Sequence, residues 1–194
     1  MEPAAGVRET LGGAPSDRVL VDKLPLHTLS LPVIAKLFPD ARILFALRDP
    51  RDVVFSCFRR RFRMNAAMFE FLRLEDAAAY YDCVMRLAAL CRERMPLALL
   101  EVRHEDMVGD FEATLRRVLG FIELDWNPAV AGFADRRGAD PRTPSDVQLR
   151  RGLNAEGIGQ WRRYAGPLAA VQRTLAPWVA RFGYQPGKEA ALGG

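Results

Sequence analysis

An arginine at position 48 and a serine at position 56 are spaced so that together they could grip one phosphate. Arg48 closes a short apolar run, Ile43 to Leu47, that suits a buried strand. Asp49 stands where a helix N-cap belongs, Pro50 fits the first helical position, and Asp52 falls at the place of a capping-box acid. Strand, turn and helix start thus fall within a few residues, the end of an open α/β sheet that normally receives a ligand. Ser56 lies one turn beyond Asp52 on the same helical side. A charge at the end of a buried strand is costly unless it is paired or faces a cleft. For Arg48 the alternative to a ligand is a structural ion pair with Asp49, Asp52 or Glu101.

Other positions carry weaker signals. Lys23 ends a second strand candidate, Val19 to Val21, so both bases could converge on one sheet edge. His104 follows a third, Leu97 to Leu100. Its ring could stack on a base or donate a hydrogen bond, or serve structure alone. Glu105 and Asp106 read as acids favoured at a helix start. Thr143, Ser145, Arg150 and Arg151 sit in a polar stretch, 135–157, too long for a routine connection. It reads either as a cover for an anionic nucleotide or as a solvated basic loop. Arg59, Arg60, Arg61 and Arg63 are likewise open between a solvated face and a patch attracting anions.

Helices must position these residues. Ser30 or Thr28 can cap a helix through Leu31, Ile34, Leu37 and Phe38. A helix from Pro50 should last to about Arg60. Tyr80, Val84, Leu87 and Cys91 mark a core-facing stripe ending near Pro96. Met107, Phe111, Leu115 and Val118 mark another, stopped at Gly120, and Asn127 to Phe133 suits a short helix. Tyr164, Leu168, Val171, Leu175, Trp178 and Phe182 form a long C-terminal stripe, with Trp161 as a packing anchor. Helices crossing between apolar strands imply a parallel sheet covered by helices.

Composition narrows the classes. At 194 residues with 49% hydrophobic content, the chain is one modest globular domain. All but three of its 28 basic residues are arginine, the better side chain for bidentate contact with phosphate or sulfate. No uncharged apolar run approaches the length of a membrane span, and no apolar leader is visible near the start. Cys57, Cys83 and Cys91 are widely spaced in apolar helical contexts and read as core thiols. With His27 and His104 the only histidines, no metal site is expected. The expected location is cytoplasmic. No G-x-x-x-x-G-K-[ST], G-x-G-x-x-G or G-x-S-x-G motif occurs, which disfavours standard nucleotide triphosphatases, dinucleotide domains and α/β-hydrolases. Aromatic residues do not interleave the arginines, which disfavours nucleic-acid binding.

Taken from about Leu20 to Phe182, the chain resembles the sulfotransferase superfamily. It is most similar to the bacterial branch related to tyrosylprotein sulfotransferases and often attached to tetratricopeptide repeats. The most specific segment is Leu37-Phe38-Pro39-Asp40-Ala41-Arg42-Ile43, running into Arg48-Asp49-Pro50-Arg51-Asp52 and Ser56. The resemblance implies that Arg48 and Ser56 bind the 3′-phosphate of 3′-phosphoadenosine 5′-phosphosulfate (PAPS), the sulfuryl donor. It gives Lys23, in Asp22-Lys23-Leu24-Pro25, the catalytic contact with the bridging oxygen and sulfuryl group. His104 stands where the family usually has a tyrosine near the adenine. Ser145, in Thr143-Pro144-Ser145-Asp146-Val147-Gln148, inherits a donor contact, and Arg151 a place near the 3′-phosphate. The acceptor is a hydroxyl, open between protein tyrosine, a carbohydrate and a small alcohol, and its pocket is expected to draw on the region from Phe62 to Leu74 and on the family's missing N-terminal part. No metal, nucleic acid or membrane is implied.

One family feature has no match in residues 1–22: the Arg-Ser-Gly-Thr-Thr loop that cradles the 5′-phosphosulfate. The expected organisation is therefore a disordered tail over 1–17, the C-terminal portion of a sulfotransferase domain over 18–184, and a flexible tail over 185–194. The fold expected is an incomplete P-loop-hydrolase-like parallel sheet of about three strands flanked by helices, with a helical C-terminal part. Low stability, or a partner segment completing the site, is expected with it. A non-catalytic binding or assembly module retaining the 3′-phosphate contacts is the second reading.

Overall fold

The structure, a computed structural model, describes residues 19–60, 62, 65–132, 153 and 155–185. The fold is mixed α/β, a parallel sheet flanked by helices. Strand β1 covers Arg42–Leu47 and β2 covers Ala98–Arg103, and they are hydrogen-bonded neighbours. Helices α1 (Leu31–Leu37), α2 (Pro50–Arg59), α3 (Leu74–Arg94), α4 (His104–Gly109), α5 (Phe111–Phe121), α6 (Ala165–Leu168) and α7 (Gln172–Arg181) follow in chain order, with short 3-10 turns between them.

Two compact units are distinguished. One holds the described residues up to Ile43 with Tyr81–Leu99; the other holds Leu44–Tyr80 with those from Leu100 on. In the first unit Leu31, Val84, Ala88 and Cys91 are buried. In the second, Phe45 and Leu47 of β1, Val54 and Phe55 of α2, and Trp161, Leu168, Val171, Leu175, Trp178 and Phe182 form the core. The last five are members of the C-terminal stripe; its first member, Tyr164, stays exposed but stacks on Phe55 at 4.3 Å between ring centroids.

Several expectations change. Val19–Val21 forms no strand: its side chains are exposed, and the sheet of described residues has two strands, not three. Three apolar residues without a hydrogen-bonded neighbour cannot sustain a strand. β2 runs three residues further than expected, to Arg103, so that His104 opens α4. The stripe from Met107 to Val118 is broken by Asp110, whose side chain accepts the Ala113 N–H at 3.0 Å and starts α5 afresh. α5 passes Gly120; Glu123, at φ 58°, takes the left-handed position after it, with Leu124 N–H bonded to the Leu119 carbonyl. Asn127 caps only a 3-10 turn, Pro128–Val130. Cys83 is exposed rather than a core thiol, while Cys57 is half-buried and Cys91 buried.

Candidate functional site

The junction of β1 and α2 is built as its sequence suggests, with one exchange of partners. Asp49 caps α2, accepting the Arg51 N–H at 2.9 Å, and Pro50 follows it in the first turn. The capping-box acid, however, is not Asp52. The N–H of Asp49 donates to Glu105 Oε1 at 3.2 Å, from the start of α4. Asp52, only 1% exposed, is thereby free for other donors. Its Oδ2 accepts the N–H of Gly159 at 2.6 Å and its Oδ1 the N–H of Trp161 at 2.8 Å. Burial pushes its carboxyl up; the two amides and the Arg48 charge pull the other way.

The arginines divide their work. Arg51, 2% exposed, forks onto Asp49, with Nε to Oδ1 at 2.9 Å and Nη2 to Oδ2 at 2.7 Å. Its guanidinium also lies 3.7 Å from the centroid of the Trp161 ring and donates to the Gln185 carbonyl. Asp49 is therefore committed to Arg51, and Asp52 to backbone amides. Arg48 instead donates from Nη2 to the Gly157 carbonyl, and its Nε is buried with no hydrogen-bond partner. A donor held dry and unpaired is costly, and a phosphate oxygen would satisfy it.

The carboxyl end of β2 supplies the neighbouring groups. His104 is half-buried, and burial, then the Arg48 charge, holds its pKa below the ordinary value, against Glu105 and Asp52. Arg48, Asp52, His104 and Glu105 thus share one electrostatic neighbourhood. Glu105 Oε2 accepts the Tyr184 hydroxyl at 2.9 Å, and Arg103 donates to the Phe182 carbonyl at 2.6 Å. Burial and the Glu105 hydrogen bond push the Tyr184 hydroxyl up. Gly183, at φ 69°, ends α7 and turns Tyr184 back toward this contact.

Of the residues expected at the site, Arg48 and His104 meet at the ends of adjacent strands, and half-buried Ser56 lies on α2 beyond Asp52. Lys23 is exposed in an irregular run, with no strand to set it at a sheet edge. Ser145 and Arg151 lie outside the described residues, as do Arg61 and Arg63. Glu105 stands in the first turn of α4, as its reading as a helix-start acid expects, but its bonds to Asp49 and Tyr184 carried no signal, nor did Gly157 and Tyr184, because each acts through a partner distant in sequence. Among the described residues no cluster of metal-ligating side chains occurs, and no helix is long and apolar enough to cross a membrane.

The comparisons agree on one family. A family model described as "Sulfotransferase family" matches residues 6–128. Protein-tyrosine sulfotransferase 1 of Danio rerio is 29% identical over 184 residues, covering 86% of this chain and 48% of that protein. Protein-tyrosine sulfotransferase of Drosophila melanogaster is 26% identical, covering 90% of this chain and 36% of that protein. The chain therefore spans half or less of these relatives. In fold it is similar to a sulfotransferase domain from the curacin biosynthetic pathway, with a TM-score of 0.54 at 14% identity, over 94% of this chain and 67% of that one. With well over half of its residues matched by that family model, the chain belongs to the sulfotransferase family.

Proposed function

We propose that this chain binds PAPS and transfers its sulfuryl group to an acceptor hydroxyl. The observation that carries this reading is the buried, unpaired Nε of Arg48 at the carboxyl end of β1, beside the N-terminus of α2. Arg48 and Ser56 hold the 3′-phosphate. Half-buried His104 contacts the adenine. Ser145 adds a donor contact, and Arg151 a charge near the 3′-phosphate.

The donor brings an activated sulfuryl group with adenosine 3′,5′-bisphosphate as leaving group. The acceptor oxygen forms a bond to sulfur, the bond from sulfur to the bridging oxygen breaks, and the acceptor's proton passes to a base. Negative charge builds on the bridging oxygen, and Lys23 stabilises it there. Arg48 and Ser56 act by fixing the donor in place. The protein-tyrosine sulfotransferases among the relatives support a tyrosine hydroxyl as acceptor. The stretch from Phe62 to Leu74, with exposed Phe69 and Leu72, is the surface assigned to it.

The test is transfer of radiolabelled sulfate from PAPS to a tyrosine-containing acidic peptide, with Lys23→Ala beside wild type. Labelled sulfotyrosine formed by wild type and lost in the variant supports the reading. Equal labelling by both removes Lys23 from the chemistry, and no labelling of tyrosine or sugar hydroxyls by wild type contradicts the activity.

A further inference from the structure

A buried carboxylate next to the phosphate arginine needs an explanation beyond stability. An apolar side chain of similar size in place of a buried charge is often neutral or stabilising. Asp52 instead spends both its oxygens on one short segment, taking the amides of Gly159 and Trp161. The same segment offers the Gly157 carbonyl to Arg48. Gly159 adopts φ 70°, a left-handed conformation that a side chain would strain, so the turn that aims its amide at Asp52 favours glycine. Asp52, the 157–161 segment and Arg48 form a closed circuit: α2 holds the segment, and the segment holds the guanidinium.

We propose that Asp52 is a positioning residue for the donor's 3′-phosphate, acting on Arg48 through the Gly157–Trp161 segment. The inference rests on the assignment of Arg48 to that phosphate. With one edge of the guanidinium tied to Gly157, Nε and the remaining N–H donors keep a fixed orientation, so little order is lost on binding. A loosened segment frees Arg48 to rotate, and the 3′-phosphate loses its partner while the rest of the nucleotide keeps its own.

The experiment compares calorimetric affinities for adenosine 3′,5′-bisphosphate and adenosine 5′-monophosphate, which lacks the 3′-phosphate. Wild type, Asp52→Asn and Gly157→Ala are measured, with melting curves to verify folding. The second variant leaves Asp52 intact: its Cβ would lie 2.9 Å from Arg48 Nη2 and so crowds the guanidinium at the segment's own contact with it. It carries the test if Asp52→Asn does not fold. Each variant should lose preference for the bisphosphate by about tenfold while its affinity for the monophosphate stays within about twofold. Equal weakening of both ligands, or no change in either, overturns the inference. A wild type without preference for the bisphosphate overturns the Arg48 assignment itself, and is recognised before any variant is measured.

Discussion

The carboxylate of Asp52 accepts the backbone amide of Trp161 at 2.8 Å, although 109 positions separate them in sequence. This bond and its companion from Gly159 join the start of α2 to the segment that leads into the C-terminal helices. The arginine assigned to the donor, the acid beside it and the tryptophan that anchors the end of the fold are therefore one structural unit. Arg51 completes it by covering the Trp161 ring and pairing with Asp49.

Arg51 is where that unit is most vulnerable. Arg51→Ala should lower unfolding free energy by about 3–5 kcal/mol, because the buried Asp49 carboxylate is left without its cation. Arg51→Lys should recover only part of this, since an ammonium cannot fork onto both oxygens and lie flat on the indole. Urea denaturation of the three proteins measures it; a loss below about 1 kcal/mol in the alanine variant would mean that the pair behaves like a surface ion pair.

Glu105 should act as the clasp for the chain after α7. Tyr184→Phe removes one hydrogen bond to it and should cost about 1 kcal/mol, whereas Glu105→Ala leaves the Asp49 amide without its acceptor as well and should cost about 1–3 kcal/mol. The double variant should cost less than the sum of the two, because both changes remove the same bond. Strict additivity in denaturation experiments would show that the Tyr184–Glu105 contact contributes nothing.

His104 should make stability depend on pH. Burial and Arg48 hold its folded pKa below the ordinary 6.5, so the unfolded chain binds its proton more tightly. The contribution is complete above 6.5 and is lost as pH falls from there through the folded pKa. Asp52, raised above 3.8, acts with the opposite sign: its contribution is present below that value and is lost as pH rises through the folded pKa. Comparing Melting or urea curves of wild type and His104→Phe from about pH 7.5 to 5.5 isolates the histidine. Wild type should lose more stability than the variant over that range; parallel curves would contradict the assigned shift.

The sequence disclosed local structure better than tertiary partnership. The apolar run ending in Arg48 and the Asp49-Pro50 start of α2 are properties of neighbouring residues; the helix start stands as read, and the run is a strand that buries Phe45 and Leu47 but leaves Leu44 exposed. The stripe from Leu168 to Phe182 is periodic and buried for the same reason. Val19–Val21 misled because an apolar triplet signals a strand only where an edge exists to receive it. Asp52 has the spacing of a capping-box acid, yet Glu105, 56 positions from Asp49, takes that bond. No spacing rule links such pairs; they follow from where β1 and β2 end. His104 was legible as a candidate because it follows a strand, and Ser56 because it lies one helical turn beyond Asp52. Lys23 rests on its resemblance to a family segment, since its exposed run has no geometry to add.

The central claim is that Arg48 binds the 3′-phosphate of the donor. Calorimetric titration with adenosine 3′,5′-bisphosphate, wild type beside Arg48→Ala, tests it most directly. Saturable binding by wild type, weakened by at least about 2 kcal/mol in the variant, is the predicted result. Equal affinities in two folded proteins, or no binding by folded wild type, would contradict it.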